Sequence, residues 1–126
     1  MWHQLAWIAA AGAVGTLARY GLAGVIQHVF HEAAFPWGTL VVNASGCFLF
    51  GLVWTLADER FIISPQTRTI ILVGFMGAFT TFSTFAFETG QFVRDAQWAW
   101  ALANLAAQNG LGLVCMFLGF SAGRLI

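Results

Sequence analysis

The sequence predicts an all-α integral membrane protein of four transmembrane helices, and three observations carry that prediction. Hydrophobic residues fill 60% of the 126 positions and charged residues only 8%, with a mean hydropathy of +0.79. The apolar residues are gathered into four stretches, each close to the ~20 residues that a helix needs to cross the hydrocarbon layer. The connections between them are short and hold most of the Asp, Glu, Arg and His. The expected spans run over about 5–29, 37–57, 69–93 and 98–123, and they leave no room for a soluble domain.

The same composition excludes other classes. Net charge is zero, lysine is absent and the five basic residues are all arginine, so no basic surface for nucleic acid can be assembled. Cys47 and Cys115 lie in apolar stretches without CxxC or CxxxH spacing, which reads as buried free thiols and not as a disulfide or zinc site. Ser45, Ser83 and Ser121 have no histidine near the centre of any span to activate them, so the chain is not expected to be an enzyme. The N-terminus has no charged n-region and no clear small-residue cleavage site, so the first apolar stretch is expected to stay as a span.

In the first span the unusual residue is Arg19. A cation this far from either end costs about 2.5–3.5 kcal/mol on insertion scales unless it snorkels or is paired. It reads equally as a snorkelling side chain or as the wall of an anion-attracting vestibule. In the loop that follows, His28, His31 and Glu32 could share one helical face, but their order does not match HExxH and no metal is assigned there. The second span opens with Pro36 expected in its first turn and closes at Asp58, Glu59 and Arg60. Asn43 stands alone among apolar neighbours, and its amide either bonds another helix or lines a polar path. Phe61 to Thr67, with Pro65, is expected to be loop. The fourth span carries Asn104 and Gln108 at i, i+4 on one face, a polar stripe or an interhelical bonding pair, and ends in Gly119-Phe-Ser-Ala-Gly123, a small-xxx-small packing face.

The third span is the one that departs from ordinary helix chemistry. Residues 74–88 read Gly-Phe-Met-Gly-Ala-Phe-Thr-Thr-Phe-Ser-Thr-Phe-Ala-Phe-Glu. Thr80, Thr81, Ser83 and Thr84 can bond backbone with their own hydroxyls, and Gly74 and Gly77 weaken the turns before them. A helix broken between Gly77 and Ser83 is expected. Freed backbone groups are tolerated at membrane depth only where they face protein, water or an ion, so the break should mark a site.

Two chemistries are open to these residues. Glu88 is the only carboxylate within a span and could couple a small exporter to protons. Alternatively the hydroxyls and the Asn43 amide could replace the hydration of an anion. Phe79, Phe82 and Phe85, at i, i+3, i+6, would then offer it the positive edges of their rings; otherwise phenylalanines at this spacing are simply core or lipid-facing. No internal repeat accompanies the third span, so any two-fold symmetry must come from a second subunit. Arg60, Arg68 and Arg124 fall on one side and Arg94 on the other, a bias slight enough to allow insertion both ways.

Three blocks carry a family resemblance: Gly-Ala-Val-Gly-Thr-Leu-Ala-Arg-Tyr (12–20), Pro-Trp-Gly-Thr-Leu-Val-Val-Asn (36–43) and the run from 74 to 89. They resemble the signature blocks of the Fluc family of fluoride channels, and the similarity extends over nearly the whole chain. The resemblance implies a dual-topology homodimer of antiparallel subunits in the cell (inner) membrane, with two pores along the subunit interface that passively export toxic fluoride. Its pore positions fall on Asn43, Phe82 and Phe85, with Ser83, Thr84 and Thr39 as neighbouring polar contacts. Arg19 and Glu88 match charged positions near the pathway. It also implies a structural sodium ion, not transported, held by the backbone carbonyls of Gly77 and Thr80 from both subunits. The fourth span departs from the pattern, with Asn104 and Gln108 where relatives commonly carry tyrosine and serine.

Overall fold

A computed structural model describes residues 2–126. It is all-helical apart from its connections: α1 (Trp2–Val29), α2 (Trp37–Asp58), α3 (Pro65–Thr69), a π-helical segment (Ile70–Met76), α4 (Gly77–Phe79), α5 (Phe82–Arg94) and α6 (Trp98–Leu125). Residues Pro65–Arg94 form one interrupted span, so four helices are long and apolar enough to cross a membrane. Apolar side chains are exposed along all four, which suits hydrocarbon and not water.

Two helix starts differ from expectation, each for a capping reason. Pro36 is the residue before the first turn of α2, and its carbonyl accepts the first helical bond from Leu40 N at 3.2 Å. Pro65, expected in a loop, is instead the first helical residue of α3. Ser64 caps it by accepting from Thr67 N at 3.2 Å, and a proline there gives up no hydrogen bond that a helix start would use. The third span therefore begins earlier than predicted. The π-helical segment that follows was not foreseen, because wider turns leave no distinct pattern in the sequence.

α5 and α6 are joined by three residues. Ala96 takes a left-handed φ of 55°, which lets Gln97 N reach Phe92 O at 2.8 Å and Ala96 N reach Val93 O at 3.1 Å, closing the end of α5.

α2 and α6 run side by side in the same direction. Asn43 Nδ2 meets Gln108 Oε1 at one level, and Glu59 meets Arg124 at the end, so one register holds from the membrane interior to its edge. The approach is close because Gly119 has no side chain: a Cβ there would press on Phe48 O and stand 2.9 Å from Leu52 N. α1 meets the third span in the same way, with Gly15 against the Phe75 carbonyl. The core, Val42, Leu72, Met76 and Phe79, sits between these contacts. Asn43 follows Val42 directly, so the polar site described next grows out of the best-packed part of the molecule.

Arg68 reaches Asp58 at 3.1 Å and lies over the Trp54 ring at 5.1 Å, while Arg124 makes a two-point contact with Glu59. These pairs bring Arg68 and Arg124 to the same end of the bundle, as the loop assignment required.

Candidate functional site

The site is built around two residues of the third span that leave helical geometry. Thr80 (φ −84°, ψ 157°) and Thr81 (φ −148°, ψ 110°) are extended between α4 and α5, although the span as a whole bends by only 22°. Their own hydroxyls hold this shape. Thr80 donates to Met76 O through both N (3.0 Å) and Oγ1 (2.9 Å), which ends α4. Thr81 Oγ1 accepts from Thr84 N at 3.2 Å and donates to Thr84 Oγ1 at 2.9 Å, which starts α5.

The excursion removes the helical hydrogen bonds to four carbonyls, Gly77 to Thr80. In a continuous helix the Gly77 carbonyl would accept from Thr81 N and the Thr80 carbonyl from Thr84 N. Here Thr81 N donates to Asn43 Oδ1 at 2.8 Å and Thr84 N to the Thr81 hydroxyl. The intervening Ala78 carbonyl accepts from Arg19 Nε at 3.0 Å, so Arg19 does not simply snorkel but reaches across to the interruption. Gly77 and Thr80 thus lose their helical donors to other partners, and Phe79 loses its own because Ser83 N lies in the first turn of α5. Hard oxygen ligands of this kind suit a sodium-like cation, and the residues present fit one.

Asn43 is clamped. Besides accepting from Thr81 N, it donates from Nδ2 to Thr81 O at 3.1 Å and to Gln108 Oε1 at 3.1 Å. Gln108 is 9% exposed and its Nε2 is buried without a partner. Asn104, fully buried, donates to Thr89 Oγ1 at 3.0 Å, and Thr89 in turn donates to Phe85 O at 2.9 Å. Of the two fourth-helix amides, then, Gln108 joins Asn43 and Asn104 joins α5. Thr89 was not singled out in the sequence, since a threonine near a helix end has no feature that distinguishes it.

The interruption also splits the phenylalanines. Phe79, on the α4 side, is core and stacks on Phe75 at 5.5 Å with rings 13° apart, so it does not share a face with the other two. Phe82 and Phe85 meet edge-on at 5.5 Å and 68°. Phe82 is 77% exposed and Phe85 7% exposed, which places the pair at the boundary between the fold and its surroundings. A cavity of about 330 Å³ opens beside them, lined by Asn43, Thr80, Thr81, Gln108 and Cys47 among others. Cys47 and Cys115 are half-buried and not fully buried as expected, and Cys47 is part of this cavity wall.

A second cavity, of about 450 Å³, lies across Thr81 and is lined by Arg19, Tyr20, Thr39, Thr84 and Glu88. There the Thr39 hydroxyl donates to Glu88 Oε1 at 2.5 Å, and Glu88 Oε2 is buried without a partner. Thr81 belongs to both walls, so it separates the two cavities. Ser83 is exposed, 3.4 Å from the Thr81 hydroxyl, and lines neither. His31 and Glu32 are exposed at 3.8 Å from each other and line neither cavity.

With this arrangement in view, the relatives of the chain can be named. Residues 6–120 match the family model described as CrcB-like protein, Camphor Resistance (CrcB). A protein named Fluoride-specific ion channel FluC from Nitrosococcus oceani is 60% identical over 126 residues, the whole of both chains. Proteins of the same name from Desulforapulum autotrophicum and Magnetococcus marinus are 53% and 42% identical, covering 100% and 98% of this chain and 100% and 99% of their own lengths. A match of this extent makes this protein a member of the CrcB-like family.

Proposed function

We propose that the chain is a fluoride channel that lets the ion pass down its gradient, and that it works as a dual-topology homodimer of antiparallel subunits. The observation that carries this reading is that the Phe82–Phe85 pair lines a cavity together with amide and hydroxyl side chains, in a chain whose full-length relatives bear the name of a fluoride channel. A small anion leaving water must be met by donors and positive ring edges, and the residue types in this wall, phenylalanine, amide and hydroxyl, are those that carry them. Phe82 is exposed on one chain, so a second subunit laid against it would complete the enclosure, and two-fold symmetry would give two such pores.

The Gly77 and Thr80 carbonyls would hold a structural sodium ion, two from each subunit. A bound cation would supply fixed positive charge near the anion path. What this chain contributes is the freeing of those carbonyls, through Asn43 and the Thr81 cap. Glu88 favours a second reading, a proton-coupled exporter, because one carboxylate oxygen is buried and unpartnered in a cavity.

Purified chain in liposomes with a fluoride electrode tests the proposal. Fluoride efflux at a clamped potential, unchanged by an imposed proton gradient, is expected. Flux that follows the proton gradient and vanishes in Glu88→Gln would favour the exporter, and no flux at all would defeat both readings. Replacing sodium by a large organic cation should lower flux or dimer stability. If neither changes, the cation site is absent.

A further inference from the structure

We infer that the turn after α2, from Arg60 to Ile62, binds an anionic phospholipid, with the Arg60 guanidinium on the headgroup phosphate and the Phe61 and Ile62 side chains against the acyl chains. This site is independent of the channel reading.

The turn lies at headgroup depth. It joins the end of the second span to the start of the third, and the exposed Trp54, one turn before the end of α2, has the Arg68 guanidinium over its ring. Tryptophan and arginine together at a helix end mark a membrane–water interface. Three arginines gather at this end, and two of them are matched. Arg68 reaches Asp58, and Arg124 takes both oxygens of Glu59, so the two carboxylates just before the turn are already engaged. Arg60 is exposed, and its guanidinium has no carboxylate partner among the described residues. It is therefore free for the two-point contact that a guanidinium makes with a phosphate.

The backbone shows that the apolar side chains of the turn are not there to make it. Arg60 N bonds Thr55 O at 3.0 Å and Ile62 N bonds Leu56 O at 2.8 Å, and Phe61 between them takes a φ of 55°. A left-handed residue closing a helix is ordinarily glycine, because a side chain there is strained. Glycine would serve this turn with less strain, so its geometry does not call for phenylalanine. Packing does not call for it either. The Phe61 ring is 84% exposed, and Ile62 beside it is exposed too. Two neighbouring apolar side chains that neither the turn nor the core requires follow directly on an unmatched cation. That combination fits both parts of an anionic lipid. A soluble anion would engage the arginine alone, and a zwitterionic headgroup brings its own cation to the phosphate.

The test uses the purified full chain in detergent. Phosphatidylglycerol and phosphatidylcholine with the same acyl chains are added at equal concentrations; native mass spectrometry reads the lipid retained and thermal denaturation reads the stabilisation. The parent should retain phosphatidylglycerol about fivefold better, the factor for one basic side chain at an anionic surface. Arg60→Gln should bring the two lipids to parity. Arg94→Gln, at the other end and with Asp95 3.6 Å from the guanidinium, should keep the preference. Phe61→Gly relieves the left-handed position, so it should melt no lower than the parent in lipid-free detergent and should lose most of the rise in melting temperature that phosphatidylglycerol gives the parent. Inorganic phosphate should give neither protein that rise.

An Arg60→Gln protein that keeps the parent's preference, or an equal loss in Arg94→Gln, overturns the assignment of the headgroup contact. A Phe61→Gly protein that melts below the parent without lipid would make the ring a packing group. One that is stabilised by phosphatidylglycerol as much as the parent would remove the ring from the site. A full rise with inorganic phosphate would reduce the site to a soluble-anion contact. Each of these outcomes refutes the lipid site, and none depends on whether the chain passes fluoride.

Discussion

Thr39 and Glu88 are joined across α2 and α5 by a 2.5 Å hydrogen bond in which the hydroxyl donates to one carboxylate oxygen, while the other is buried without a partner. The carboxyl is therefore half-satisfied, and the Thr39 hydroxyl is the group that makes its burial tolerable. Thr39→Val keeps the shape and removes the donor, so it should destabilise the folded chain by about 1–3 kcal/mol, the cost of leaving a buried polar group unmade. Combining it with Glu88→Met, which removes the group left stranded, should recover most of that loss. Thermal denaturation of the purified protein in detergent reads both. If the double variant is no more stable than Thr39→Val alone, the bond is not what holds Glu88.

The edge-on Phe82–Phe85 pair makes a second prediction, about function and not stability. Phe82→Ile or Phe85→Ile keeps apolar bulk but removes the ring edge, and fluoride flux should fall by more than about tenfold, or ~1.4 kcal/mol in the barrier. Phe117→Ile is the control, because Phe117 pairs edge-on with Phe120 on α6 and lines neither cavity. Flux measured in liposomes from equal amounts of folded protein decides it. Parent-like flux in both ring variants would place the anion path elsewhere.

How far the sequence could be read follows from which residues act alone and which act through partners. The four spans were legible because length and apolar content are local properties that need no neighbour. The run from Thr80 to Thr84 reads as poor helix for the same reason, yet only Thr80 and Thr81 are extended and Phe82 to Thr84 are helical. What could not be read was partnership. Nothing in the spacing of Asn43 says that its amide is consumed by Thr81 and Gln108, 38 and 65 positions away. Phe79, Phe82 and Phe85 look like one face only if the helix is continuous. Two extended residues between the first and second of them send Phe79 to the core. Pro65 misled because a proline reads as loop until its serine cap is recognised.

At the end of the bundle, the Arg124 guanidinium bonds both oxygens of Glu59 and thereby holds this carboxyl below its usual range. A depressed carboxylate stabilises the fold above its unfolded pKa, about 4.3 for glutamate, and that contribution disappears as pH falls through the lower folded value. The pair is solvent-exposed, so the effect should be small. Melting temperature should decline on acidification below about pH 4.3, and Glu59→Gln should flatten the part of the decline that belongs to this pair. An acid limb identical in parent and variant would mean that the contact contributes nothing to stability.

The last prediction concerns the approach of α2 and α6, on which the Asn43–Gln108 contact depends. At Gly119 a Cβ would press on the Phe48 carbonyl and the Leu52 amide nitrogen, both backbone atoms that no side-chain rotation can move. The helices would have to separate, and because they are rigid the displacement would be felt one or more turns away, where Asn43 Nδ2 and Gln108 Oε1 are 3.1 Å apart. Gly119→Ala should therefore cost about 1–3 kcal/mol of stability, the usual range for overpacking. It should also reduce fluoride flux although residue 119 lines neither cavity. Gly21→Ala is the comparison, since a Cβ there meets nothing within 4 Å, and it should be neutral or slightly stabilising in a helix interior. Denaturation in detergent and flux in liposomes are measured on the same preparations. A Gly119→Ala protein as stable and as active as the Gly21→Ala protein would show that the two helices can part without disturbing the amide pair, and the register between them would then be irrelevant to the site.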